Sequence, residues 1–404
     1  MLRATYDLTE AVPSAHPVQA HPHVEVPLLV VVVGVAVVVL LLATLVRFGP
    51  VATGDDPVAW SWQDPVRGRE LPGRVLGVTA LVAAVVAGRF GSPEELDNLA
   101  SSLVVGAGWP LLVLGCLVVG RLWRWLDPWD SLARLLTRGE RSQPAEHVWP
   151  AVGVAVGLLW FLSVYPRPLD PRAVGLVLAG YTVLTLAGCL ALGRARWLSS
   201  GEPVGLVLSW VGLLPRRRLR QWHPPAGAGV LLAVVTAATL FGVFSRTELW
   251  TTIAPDTWPV WSGTVGLLAS CGLAAGVVVL SGRVSRSAEQ RAAVVRALVP
   301  VAAAVVLAVA LERNRFFTSV QLLPQLLGDP LGRGWEVLGL SGMTLNPDPL
   351  GAAGVVWLQL GLVTAGHVVS AAAAPRPLEG DDRLPVIAVL AVSVVVSVSA
   401  LALH

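Results

Sequence analysis

Apolar residues run through this chain in long, nearly uninterrupted blocks separated by short polar stretches, a spacing set by the thickness of a bilayer. A membrane-spanning helix needs about 20 predominantly apolar residues. Ten blocks approach or reach that length: residues 26–46, 75–88, 100–120, 148–165, 173–193, 226–244, 262–281, 297–311, 350–373 and 385–403. The second and eighth are the shortest. The pattern predicts an all-α fold, a polytopic transmembrane helix bundle of about ten spans. A tail of residues 1–25 precedes a single transmembrane helical domain of residues 26–404.

Two segments between the blocks have helical character without the length to span. In DPWDSLARLLTRG, Trp129, Leu132, Ala133 and Leu136 share one face and Arg134 and Arg138 the other, so residues 127–140 are expected to lie along the membrane interface. Asp127 before Pro128 is a helix start, an acceptor at the N-cap with proline at the first helical position. In PVGLVLSWVGLL, twelve apolar residues from Pro203 run into PRRRLRQ, and residues 203–221 read as half-inserted or interfacial.

Composition adds direction to this picture. Apolar residues make up 54% of the chain, charged residues 14%, and the mean hydropathy is +0.69, which places it among integral membrane proteins. All 29 basic residues are arginine. Sorted among alternate loops, 21 of them fall on one side, while the acidic residues divide evenly. Arginine-rich loops stay in the cytoplasm. Both termini are therefore expected to be extracytoplasmic, in a multi-pass protein of the cell membrane whose longest external loop is 312–349. Arg216, Arg217, Arg218 and Arg220 would then meet anionic lipids of the inner leaflet, each contributing about 1 kcal/mol near the surface.

The same composition excludes chemistry. Without lysine there is no Schiff-base lysine and no phosphate-holding Walker lysine, so a built-in ATP motor is not expected. H-E-x-x-H, C-x-x-C and G-x-S-x-G are absent. No cofactor, metal site or nucleic-acid partner is implied; the expected partner is the bilayer itself.

Individual residues carry less. Cys116, Cys189 and Cys271 fall inside predicted spans and read as packing residues. His367 is the clear ionisable residue within a span, where packing against a neighbouring carbonyl competes with a functional role. Gly153 with Gly157, and Gly272 with Gly276, have the spacing that lets helices approach closely. Tryptophans near span ends, among them Trp109, Trp123, Trp125, Trp149, Trp197, Trp250, Trp261 and Trp335, read as interfacial belts. Asp-Pro recurs at Asp56, Asp64, Asp127, Asp170, Asp329 and Asp348, a regularity that argues for helix starts. By that rule Asp329 in GDPLGRGWEVLG caps a short external helix carrying Trp335, with a ligand-binding or catalytic role as the alternative.

Several stretches, in order along the chain, resemble the fenitrothion-hydrolase-like family of bacterial multi-pass membrane proteins common among actinobacteria. They are AGRFGSPEELDNLA, GRLWRWLDPWDSLARLL, YPRPLDPRAVGLVLAGYTVLTLAGC, RARWLSSGEP, SRTELW, GDPLGRGWEVLG and VWLQLGLVTAGHV. The family name implies hydrolysis of an organophosphate ester. This chain departs from the family where histidines would stand near Ala297 and Val309, where a His-Asp pair would replace AAAAPRP, and where Asp-Gly-Leu would replace Phe241, Gly242 and Val243. Positions that keep the family's residues include Asp127 and Glu202 as well as Asp97, Asn98, Arg246, Asp329, Arg333, Trp335 and His367. These last seven form the candidate polar site. The losses favour a protein that binds or moves a small or lipophilic solute over a membrane-embedded hydrolase.

The arginine bias is directly testable: reporter fusions at Thr137 and Gly328 should report cytoplasm and exterior respectively, and the same side for both would overturn the assignment.

Overall fold

A computed structural model describes residues 62, 64–137, 142–215, 218–254, 257–311, 315–335, 337, 346, 348–373 and 384–402. The first predicted block, 26–46, lies outside them, as does Asp56. Regular structure among the described residues is helical, apart from a single bridge between His147 and Ala226. Six helical stretches are long and apolar enough to cross a membrane: Gly68–Phe90, Ser101–Val119, Pro171–Leu192, Pro259–Val284, Ala288–Ala310 and Ala353–Ala371.

In chain order the helices are α1 (Leu71–Phe90), α2 (Trp109–Val119), α3 (Leu122–Leu126), α4 (Pro128–Leu136), α5 (Trp149–Ser163), α6 (Pro171–Leu192), α7 (Arg194–Leu198) and α8 (Pro203–Val211). They continue as α9 (Ala228–Phe244), α10 (Glu248–Ile253), α11 (Pro259–Val284), α12 (Ala288–Ala310), α13 (Arg315–Gly328), α14 (Gly351–Ala373) and α15 (Leu384–Ala402). Proline in the first turn starts α1, α4, α5, α6, α8 and α11, where its missing N–H has no intrahelical partner to lose. α5 and α9 have 15 and 17 residues, short of a full span.

The two shortest predicted blocks become full-length helices. Each begins earlier than its apolar run, because polar and charged residues at its start are buried by the protein: Arg74 in α1, Gln290 and Arg296 in α12. α12 is the axis of the bundle, with 78% of its apolar window buried. It packs against α14, α9 and α15. Pro300 lies within it, and Gly366 of α14 crosses so closely that a Cβ there would sit 2.9 Å from the Pro300 carbonyl oxygen. Ser370 and Gln359 of α14 donate to the carbonyls of Ala297 and Ala308, giving that crossing two polar ties. By contrast, α1, α2, α6 and α11 leave large apolar side chains such as Leu76, Val118, Leu176 and Leu273 exposed, as lipid-facing helices do.

A π-helical stretch, Ser101–Gly108, leads into α2. Pro110 explains it, since the ring removes a donor and crowds the carbonyl four residues earlier, and the backbone widens one turn before. α13, inside the predicted external loop, lays Leu322 and Leu326 against Ala87 and Leu99 and packs on the π-helical stretch.

Three expectations change. α8, expected to be half-inserted or interfacial, is enclosed by protein: Pro203 to Leu208, Trp210 and Val211 are buried by α2, α3, α5 and α12. Nor does α4 simply lie on a surface; Trp129 and Ala133 face the core, while Leu136 is exposed. Trp123 and Trp197 belong to the core instead of a belt, whereas Trp149, Trp261 and Trp335 are exposed.

The expected glycine pairs also fail, since a Cβ at Gly153, Gly157, Gly272 or Gly276 would meet nothing within 4 Å. Close approach occurs at Gly73 and Gly77, where α1 crosses α3, and at Gly88 against Gly175. A Cβ at Gly77 would overlap the Leu126 carbonyl oxygen. Gly77→Ala should therefore destabilise the protein by about 1–3 kcal/mol, the usual range for overpacking. Gly272→Ala should be neutral in the same thermal-denaturation assay in detergent; equal effects would show that the α1–α3 crossing is not as tight as described.

Candidate functional site

The predicted polar residues do not meet around a common cavity. Asp97, Asn98, Asp329 and Arg333 come together where the loop after α1 docks on the turn after α13: Ser92 N–H donates to the Leu331 carbonyl at 3.1 Å, and Gly332 packs against Ser92 and the Asp97 backbone. Asn98 is fully buried and clamps its own loop. Its amide donates to the carbonyls of Ala87 (2.9 Å) and Ser92 (2.7 Å), and its oxygen accepts from Ala100 N–H (2.8 Å).

Asp329 does not cap a following helix. It stands just past the C-terminus of α13, and its two oxygens accept from the backbone N–H groups of Arg333 (2.9 Å) and Gly334 (2.6 Å). Gly332 and Gly334 have φ of 64° and 78°, a conformation glycine adopts without strain, so the carboxylate folds Pro330–Gly334 into a turn. Burial slightly opposes ionisation there, but those N–H donors, joined by Trp335 and Gly332, hold the Asp329 carboxyl below its usual range. Trp335 is exposed beyond the turn.

Arg246 stays on its own helix end, donating from Nε to the Gly242 carbonyl at 2.6 Å. His367 is elsewhere, buried in α14 with Nδ1 2.7 Å from the Val363 carbonyl and Nε2 2.8 Å from the Ser393 hydroxyl of α15. Both ring nitrogens are thereby satisfied within the helices. Arg216 and Arg217, expected at the lipid surface, lie outside the described residues; next to them Leu219 and Trp222 are buried, and the Trp222 carbonyl accepts from Arg296 Nε at 2.8 Å.

The densest polar group lies at the opposite end of α1. Asp130 of α4 is buried and receives three guanidinium groups: Arg74 of α1 (2.8 Å), Arg134 of its own helix (2.8 Å) and Arg194 of α7. Arg124 of α3 binds Glu70 (3.0 Å) and Asp64 (3.1 Å). Carbonyls of Trp62, Asp64 and Pro65 accept further N–H groups of Arg134, Arg194 and Arg124. Burial disfavours the Asp130 anion, but Arg134, Arg74 and Arg194 outweigh it and hold the carboxyl below its ordinary value.

Two further carboxyls sit beside this cluster without a guanidinium. Asp127 is fully buried; its Oδ1 caps α4 by accepting Asp130 N–H at 2.9 Å, while Oδ2 has no hydrogen-bond partner among the described residues. Glu202, also fully buried, caps α8 by accepting the N–H groups of Val204 (3.0 Å) and Gly205 (2.6 Å), and receives the Tyr181 hydroxyl of α6. Gly205 has no side chain because Glu202 Oε2 and Trp123 Nε1 occupy that space. Burial, then the charges of Asp130 and Glu202, push the Asp127 carboxyl well above the usual range. Burial pushes Glu202 up to about 7 against its hydrogen bonds, which favour the anion.

Comparison with protein-family models, with curated proteins and with solved structures finds no match. The geometry therefore stands without a relative to name it. No group of three or more His, Cys, Asp or Glu side chains placed to hold a metal ion occurs among the described residues.

The sequence marks Asp127 as a helix start and sets Glu202 among the retained family positions, but Glu70, Arg74, Arg124, Asp130, Tyr181 and Arg194 pass unremarked. Arg74, Arg124 and Arg194 sit at span ends, where arginine is indistinguishable from a topology determinant. The available signal is Asp-x-x-Asp beside an arginine-rich span end, with a second acid directly before Pro203.

Because each Asp329 oxygen serves its own N–H, Asp329→Asn should lose one of the two bonds and Asp329→Ala both. Alanine should then cost about twice as much, within the roughly 0.5–2 kcal/mol of a lost cap. Equal losses for both variants in chemical denaturation would show that charge, not acceptor count, holds the turn.

Proposed function

We propose that this chain is a multi-pass protein of the cell membrane that binds or moves a small or lipophilic solute without an ATPase of its own, and that Asp127 and Glu202 are the groups its work depends on. The supporting observation is the pair of buried carboxyls left without a cation beside a cluster in which every arginine is engaged. A buried ion costs several kcal/mol unless paired, and a cluster serving only to pin helices has no use for two uncompensated acids. Buried ionisable groups with displaced ionisation are candidates for functional sites. On this reading the Arg74 end faces the cytoplasm, as the arginine distribution requires, and membership of the fenitrothion-hydrolase-like family rests on the sequence stretches quoted above.

The test is uptake of a panel of labelled small and lipophilic solutes by proteoliposomes holding the purified chain, with and without an imposed pH gradient. Glu202→Gln and Asp127→Asn should each sharply lower any uptake found. Uptake by both variants at the wild-type rate would overturn the assignment. Hydrolysis of an aryl phosphate triester by the purified chain, lost in the same variants, would establish the enzymatic reading in its place.

A further inference from the structure

Deepening that reading, we propose that Asp127 and Glu202 form a proton-binding site, the two carboxyls holding one exchangeable proton between them. The inference rests on the preceding assignment only for its use, since proton binding is a property of the folded chain with no solute present.

The geometry leaves the pair no other means of neutralisation. Arg74, Arg134 and Arg194 are committed to Asp130, and Arg124 to Glu70 and Asp64. The groups facing the pair from the surrounding helices are Arg74 of α1, Asp130 of α4, Tyr181 and Cys189 of α6, and Arg194 of α7. Of these only the arginines are cations, and both are bonded to Asp130. The Tyr181 hydroxyl donates to Glu202 and serves one of its oxygens. What remains is Asp127 Oδ2, fully buried and without a partner. As an anionic oxygen it would bear the full cost of an unsolvated charge; as a neutral carboxyl it would bear the much smaller cost of a polar group.

Two such acids cannot both be charged cheaply, and they need not both be neutral. Val204 N–H, Gly205 N–H and the Tyr181 hydroxyl favour the anion at Glu202, whereas Asp127 is given a single N–H. One proton per pair satisfies both environments, residing mainly on Asp127.

The experiment is infrared difference spectroscopy of the carboxyl C=O stretch during a pH titration of the purified full-length chain in lipid nanodiscs. This band separates the acids from the chain's 7 histidines, which titrate in the same range. Wild type should show a protonated-carboxyl band that persists above the ordinary carboxylate range before it is lost as pH rises. Each of Asp127→Asn and Glu202→Gln should move that midpoint down, because the surviving acid no longer faces a second negative charge, and the double variant should lack the band. Asp127→Asn is a gentle change, since the amide oxygen keeps the α4 cap and the NH₂ replaces an oxygen that bonds nothing.

Stability supplies a second readout. A carboxyl raised in the folded state contributes stability that is fully present below its ordinary value and is lost as pH rises through the folded one, so the melting temperature should fall between about pH 4.5 and 7 in wild type. That fall should be absent in the double variant. A wild-type chain with no carboxyl band above pH 5, or a band unchanged in both variants, would overturn the proposal. Loss of solute uptake with the titration intact would instead sink only the solute reading.

Discussion

A single carboxylate, Asp130, holds one end of this bundle together. Its two oxygens receive guanidinium groups from Arg134 of its own helix and from Arg74 of α1 and Arg194 of α7, 56 and 64 residues away along the chain, and the carbonyls of Trp62, Asp64 and Pro65 accept further arginine N–H groups. Three cations converge on this one anion, and two further acids stand close by without a cation of their own. Asp127 sits three residues away on the same helix start, and Glu202 opens α8 beside it. The position of α8, the cap on α4 and the burial of Trp123, Trp129 and Tyr181 around the acids all follow from bringing these charges together out of water. Trp129 meets Tyr181 edge-on at 4.9 Å and donates to Thr182, so an aromatic wall closes the cluster from the α6 side.

The two ends of the bundle consequently differ in kind. At the Asp329 end, polar side chains bond to backbone: Asn98 to its own loop, Asp329 to its own turn, Arg246 to its own helix. Such bonds shape loops, and they leave little reactive capacity. At the Arg74 end, side chains bond to side chains across four helices, and two acids remain over. Functional chemistry is better served by the second arrangement, because a charge change there alters contacts between helices and not merely within a loop.

What was legible in the sequence was whatever depends on one-dimensional length. Apolar blocks located the long helices, and Asp-Pro located the starts of α4 and α6 because the cap and the proline act within one turn. Whatever depends on which face a residue presents was not legible. Gly272 and Gly276 have the same spacing as Gly73 and Gly77, yet only the second pair meets a neighbouring backbone. Asp329 shares the Asp-Pro motif, but two glycines downstream let the chain fold back on the carboxylate before a helix can begin. PVGLVLSWVGLL reads as too short to span, and nothing in its composition distinguishes burial in lipid from burial in protein.

Assembly order is where that last distinction matters. α8 is nine residues, about 14 Å of helix, and it cannot be inserted as a span. Its covering surface includes α12, which begins at residue 288. At the roughly 5–20 residues per second of synthesis, on the order of ten seconds separate the appearance of α8 from that of its last wall. Through that interval a fully apolar helix with an acidic cap has no finished place in the bundle. Its other neighbours, α2, α3 and α5, are synthesised before it and must hold it until then.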